Sequence, residues 1–134
     1  MTFVDSSFWI GLAVSGDDRH EESRALLQSQ GQAALVTSNL VRGEVWTLLR
    51  RWGGHAKAVE FLDRLERTPR LRVESVDEKL EREALRWLRR HDERPYSFVD
   101  ATSFALMRRL RIKGALAFDG DFAAAGFVEL RVDG

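Results

Sequence analysis

The sequence contains no cysteine, which excludes disulfides and thiolate metal sites and leaves oxygen and imidazole as the available metal ligands. Hard cations are therefore favoured. The histidines number three, His20, His55 and His91, and none has an evident serine partner, so hydrolysis by an activated serine is poorly supported. Net charge is also missing: 21 basic and 21 acidic residues cancel, so no overall field draws in nucleic acid and any such role must come from local asymmetry. Lysine is scarce and most of the cations are arginine, which suits bidentate phosphate contacts and equally suits ion pairs on solvated helices. No apolar run reaches the roughly 18 residues that a membrane span needs. The N-terminus enters an apolar strand almost directly, without a basic and then apolar leader, so a cytoplasmic location is expected.

What remains is a chain of 134 residues with 44% apolar content, suited to one domain spanning residues 1–134. Phe3-Val4-Asp5 reads as a buried strand that delivers a carboxylate to a sheet edge. Phe8 to Val14 is apolar all round, as a short helix packed under a sheet would be. Asp18 and Glu21 have the spacing of a capping box for a helix to about Gln30, with Ala25, Leu26 and Leu27 facing inward. Ala34 to Thr37 is a second strand, with Ser38 and Asn39 placed to cap the next helix.

That helix, Leu40 to about Trp52, carries Val41, Val45, Leu48 and Trp52 as a core-facing stripe, with Glu44 on the same side. Gly53-Gly54 ends it, and Ala56 to Thr68 resumes helical periodicity until Pro69. Leu71 to Val76 alternates as a third strand, and Asp77 caps a helix to about His91. Phe98 to Arg111 is a strongly apolar helix that Ser97 and Asp100 can cap. Ala115 to Phe118 is a strand of buried type ended by Asp119-Gly120-Asp121, and Val128 to Val132 is an edge strand. Strands alternating with helices predict an α/β domain of three layers, a central parallel sheet of about five strands flanked by helices.

Each notable acid alone has an ordinary explanation: Asp5 and Asp100 as caps, Asp119 as a turn residue, Glu44 as half of a buried ion pair. Together they point elsewhere. In a doubly wound parallel sheet, strand ends and helix starts lie on one edge, so Asp5, Glu44, Asp100 and Asp119 can converge there. Such a cluster repels itself unless some members are protonated or a divalent cation lies among them. Oxygen-only ligation is the chemistry of Mg²⁺ or Mn²⁺. A cation held this way can bind a phosphodiester oxygen, activate water and stabilise a leaving oxygen, which makes phosphodiester hydrolysis the natural reaction.

The order of these motifs resembles that of PIN-domain proteins, specifically VapC-type toxin ribonucleases: Phe3-Val4-Asp5-Ser6-Ser7, then Thr37 to Glu44, then Ser97-Phe98-Val99-Asp100-Ala101, then Ala117 to Phe122. The resemblance covers nearly the whole chain. It implies a PIN-like fold and a metal-dependent endoribonuclease whose acids match Asp5, Glu44, Asp100 and Asp119, with Ser7 as a small polar residue near the metal. Asp121 is either an additional acid or a turn residue. The resemblance further implies a toxin of a type II toxin–antitoxin pair, an RNA substrate, frequent homodimerisation and inhibition by a small cognate antitoxin. Two rivals compete with this reading. One is a catalytically idle PIN-like module that binds RNA or protein. The other is a receiver-type phosphorylation switch, which expects an acidic pair after the first strand where Ser6-Ser7 stands, and a Lys after a late strand where Lys113 precedes one.

Overall fold

In the computed structural model, which describes residues 1–132, five short apolar runs form one parallel sheet. The strands are β1 (Thr2–Val4), β2 (Leu35–Ser38), β3 (Leu71–Glu74), β4 (Gly114–Leu116) and β5 (Val128–Glu129), in spatial order β3-β2-β1-β4-β5. The one-domain expectation for residues 1–134 holds its last two positions outside the described residues. β1 is central, with Phe3 opposite Val36 on one side and Ala115 on the other. Neighbouring strand residues point to opposite faces, yet Thr2, Phe3 and Val4 are all buried, as is all of β2. Both faces of the sheet centre are therefore covered, which is why these runs are continuously apolar. The predicted sheet is borne out.

Helices make the crossovers: α1 (Ser6–Ala13) and α2 (His20–Ser29) between β1 and β2, α3 (Asn39–Trp52) and α4 (His55–Glu66) between β2 and β3, α5 (Glu78–Arg90) and α6 (Phe98–Leu110) between β3 and β4, and α7 (Asp121–Ala124) before β5. The chain winds outward from β1 through β2 to β3, then returns to lay β4 and β5 on the other side. The carboxyl end of β1 is thus the topological switch point, the crevice where open α/β sheets bind ligands.

Three local expectations need correction. Asp18 caps nothing: α2 starts at His20, and Asp17 instead accepts the Arg19 N–H at 2.8 Å, while His20 Nδ1 meets the Gly11 carbonyl at 2.9 Å and ties α2 to α1. Ala25 is exposed while Ser23 and Leu26 are buried and Leu27 packs partly against the core, because three successive residues spread over about 200° of a helix and cannot all face inward. Gly11 permits this close approach, since a Cβ there would lie 2.6 Å from Ser23 Oγ. On α3 the buried row is Val41, Val45 and Leu49, an i, i+4 ridge. Trp52 sits in the last turn beyond it, 68% exposed. The strands also end earlier than the sequence pattern suggests, β3 at Glu74, β4 at Leu116 and β5 at Glu129.

The second core layer is aromatic. Phe104 on α6 packs edge-on against Trp87, Tyr96 and Phe122 at 5.2, 5.8 and 4.9 Å between ring centres and stacks on Phe127. Phe122 in turn meets Phe3 of β1 at 6.0 Å. Phe3, Phe104 and Phe122 are fully buried, each contributing roughly 1.5–3 kcal/mol. Phe122 directly follows Asp121, so this packing anchors the acidic loop after β4 to the core.

Candidate active site

Every acid reaches its place through an ordinary folding feature. Asp5 ends β1 and caps α1: its Oδ2 accepts the Ser7 N–H at 3.2 Å and the Ser7 Oγ–H at 2.8 Å. Ser7 Oγ also accepts the Phe118 N–H at 3.1 Å. One hydroxyl thus joins the ends of β1 and β4, two neighbouring strands whose residues lie 111 positions apart. Asp100 forms the expected capping box with Ser97, its Oδ2 accepting the Ser97 N–H at 3.0 Å while Ser97 Oγ accepts the Asp100 N–H at 2.9 Å. Asp119 Oδ1 accepts the Asp121 N–H at 3.1 Å, closing the turn in which Gly120 adopts φ 82°, a left-handed conformation that favours glycine.

These local bonds bring the carboxylates together. Asp100, Asp119 and Asp121 each present an oxygen within 4.8 Å of the others. Asp5 lies close behind, only 1% exposed. Burial pushes its carboxyl up to about 7, and the nearby charges of Asp119 and Asp100 add to this against the opposing Ser7 hydrogen bonds. Burial likewise raises Asp100 to about 6, with Asp119 and Asp121 contributing. Asp119 is raised as well, by desolvation first and then by the charges of Asp121 and Glu129. Such mutual elevation marks carboxylates crowded without enough positive charge.

The cation at the cluster is Arg94, whose Nε donates to Asp121 Oδ1 at 2.9 Å and whose Nη2 donates to the Asp119 carbonyl at 3.1 Å. Asp5, Asp100 and Asp119 have no ion pair among the described residues. In all four aspartates one carboxylate oxygen is fixed by an N–H or O–H donor, and the second carries at most the distant Ser6 hydroxyl, 3.5 Å from Asp5 Oδ1. The donor set is all oxygen, oriented by the backbone and short of positive charge. It fits a hard divalent cation.

Glu44 stands apart from this tight group. It lies half-buried on α3 in a cleft of about 420 Å³, lined also by Leu40, Leu48, Phe98 and Val99. Val99 precedes Asp100, so the cleft borders the cluster, although Glu44 is absent from the charges acting on the other acids. Two further residues shape the site without having stood out in the sequence. Arg94 comes from the connection before α6, where no periodicity flags it. Glu129 of β5 accepts the Gly120 N–H at 3.2 Å and the Ala123 N–H at 3.1 Å, so it holds the Asp119-Gly120-Asp121 turn from outside. An acid amid an edge strand gives no sequence signal for that.

Comparison with known proteins agrees with this geometry. The family model described as PIN domain matches residues 2–128. The 23S rRNA-specific endonuclease VapC20 of Mycobacterium tuberculosis, from strains CDC 1551 / Oshkosh and ATCC 25618 / H37Rv, is 53% identical over 131 residues, covering 98% of this chain and 98% of the relative. The crystal structure of that organism's VapC20, described as a Sarcin-Ricin loop cleaving toxin, superposes with a TM-score of 0.93 at 53% identity, over 98% of this chain and 99% of that one.

Proposed function

This chain belongs to the PIN domain family, and from that premise we propose that it is a metal-dependent endoribonuclease that hydrolyses a phosphodiester bond in a structured ribosomal RNA as the toxin of a toxin–antitoxin pair. The observation that carries the reading is the convergence of four aspartates at the switch point of the sheet with Arg94 as their one ion-pair partner among the described residues. The likeness to a 23S rRNA endonuclease supplies the substrate class.

Asp5, Asp100 and Asp119 are the residues we assign to hold the cation, Mg²⁺ or Mn²⁺, with Glu44 reaching it directly or through water from the bordering cleft. When bound, the cation supplies Lewis acidity: it neutralises the phosphodiester oxygens, lowers the pKa of water and stabilises the leaving oxygen. The chain supplies preorganisation. Ser7 fixes the Asp5 carboxylate against the Phe118 N–H, and Ser97 fixes Asp100. Arg94 draws off part of the Asp121 charge, which leaves Asp119 as the fourth ligand and Asp121 as support. Because Asp5 and Asp100 are raised toward neutrality, protons compete with the cation as pH falls below about 7.

Two partner assignments follow. The apolar cleft beside Glu44, together with exposed Phe98 and Trp52, suits a second copy of this chain, and a monomer mass by light scattering at micromolar concentration refutes that. A groove between α1, α2 and α4, floored by Trp9, Leu12 and Phe61 and edged by Lys57, Arg64 and Arg67, suits an acidic amphipathic segment of an antitoxin. A protein that purifies alone and is inhibited by no small co-encoded protein refutes it. RNA as substrate places the work in the cytoplasm.

The decisive experiment incubates purified, antitoxin-free protein with a hairpin RNA of sarcin–ricin loop sequence. Cleavage is expected with Mg²⁺ or Mn²⁺ and is abolished by EDTA and by Asp100→Asn. Cleavage that survives both refutes the site. RNA bound but left intact in either metal instead identifies an idle binding module.

A further inference from the structure

The protein has no net charge, so its grip on a polyanion must be local. Beyond the acid cluster, α5 and α6 enclose a cleft of about 330 Å³ lined by Glu83, Arg86, Trp87, Arg90, His91 and Arg108. Three guanidiniums thus face one carboxylate, Glu83, while the imidazole is held by Glu93 at 2.8 Å. Arg86, Arg90 and Arg108 belong to no ion pair among the described residues, whereas Arg82 and Arg109 on the same two helices are paired with Glu78 and Asp77. Arg108 is lowered from its usual value by desolvation, opposed only by Glu83. All three arginines are solvent-exposed, so they are open to an anion arriving from solution.

The cleft is also correctly placed. Arg90 and His91 end α5, and the connection that follows carries Arg94 to Asp121 and Ser97 to Asp100. Trp87 stacks on His91 with ring centres 4.1 Å apart and meets Tyr96, one residue before Ser97, at 4.7 Å. Arg108 lies eight residues after Asp100 on α6, about 12 Å along the axis at about 1.5 Å per residue.

We propose that this cleft is an RNA backbone exosite, in which Arg86, Arg90 and Arg108 bind phosphates of the substrate that flank the bond that is cut. The proposal rests on the endoribonuclease reading. Arginine suits the task because its planar fork grips phosphate bidentately, and contacts of this kind position the RNA without reading its sequence.

The test is steady-state cleavage of the sarcin–ricin hairpin across a salt series, using Arg90→Ala, Arg108→Ala, their double variant and Arg90→Lys. Each alanine is expected to raise KM about 3- to 10-fold with kcat unchanged, and to flatten the slope of log(kcat/KM) against log salt by about 0.7–0.9. The double variant should combine both effects, and Arg90→Lys should keep the wild-type slope. A paired arginine elsewhere, Arg24→Ala, should change neither. Unaltered KM and slope in the alanine variants overturn the exosite. So does a fall in kcat alone, or a change in oligomeric mass, which would make the cleft a contact between copies. Arg86→Ala, on the exposed rim, provides the same readout if Arg108→Ala does not fold. Wild-type protein that cleaves while these variants behave like it sinks this proposal alone; wild-type protein that neither cuts nor binds the RNA sinks the endoribonuclease reading and the exosite with it.

Discussion

Replacing Asp5 by asparagine should destroy cleavage and yet strengthen the metal-free fold. The carboxyl is raised from 3.8 to about 7 because it is buried and faces Asp119 and Asp100. Between those two values the folded chain keeps a proton that the unfolded chain has shed, so stability is full below about pH 4 and is lost as pH rises through about 7. A shift of about three units at about 1.4 kcal/mol each amounts to about 4 kcal/mol of strain at pH 8. Asparagine removes the charge and can place its carbonyl where Oδ2 takes both Ser7 bonds. The weakening of those bonds when their acceptor is neutral is already contained in the raised value, because they act to lower it. The net gain at pH 8 in EDTA should approach about 4 kcal/mol, or about 12–15 °C in Tm for a chain of this length. Near pH 4.5 the gain should shrink toward zero, because wild-type Asp5 is then protonated as well. Millimolar Mg²⁺ should reverse the order at pH 8 by stabilising wild type alone. Thermal and urea melts at pH 4.5, 6.5 and 8 measure all of this. A variant no more stable than wild type at pH 8, or a gain that persists undiminished at pH 4.5, refutes the argument that Asp5 is a strained, cation-seeking carboxylate.

Two further outcomes follow from the same geometry. Ser7→Ala removes the acceptor of the Phe118 N–H and both the hydroxyl donor and the rigidity of Asp5; urea melts should show a loss of about 1–3 kcal/mol, with kcat falling more than KM changes, and unchanged kcat would show that the bridge is structural only. Glu44→Gln keeps the half-buried side chain's shape while removing its charge, so stability should hold within about 0.5 kcal/mol while cleavage drops at least tenfold and Mn²⁺ binds more weakly by calorimetry; undiminished cleavage would remove Glu44 from the site.

The parts of this site that could be read in the sequence are those where local chemistry and tertiary placement coincide. Asp5 stood out because it ends an apolar run, and that same position makes it a helix cap and sets it at the switch point. Asp100 could be read as a cap or as a site acid, and it is a cap that also joins the cluster. These two descriptions compete only on paper, since capping one helix N–H occupies one carboxylate oxygen and leaves the other to face the crevice. Arg94 and Glu129 were illegible for the opposite reason: each acts across a turn on residues 27 and nine positions away, with no period to connect them. Trp52 misled because an i, i+4 step from Leu48 follows a row beside the buried one, Val41, Val45 and Leu49, and α3 outruns its core in the last turn. Asp18 misled by a shift of one residue, which is within the ordinary uncertainty of where a helix begins.

The placement of β4 between β1 and β5 governs when this chain becomes dangerous. Asp5 is among the first residues made, but the strand that completes its surroundings comes more than a hundred residues later, and Asp119 follows that strand. Until then β1 has one open edge and Ser7 has no Phe118 N–H to hold. A message broken anywhere upstream of β4, or a ribosome that stalls there, therefore yields a sticky, incomplete sheet fit for proteolysis and no half-active nuclease. The catalytic risk to the cell is confined to finished molecules.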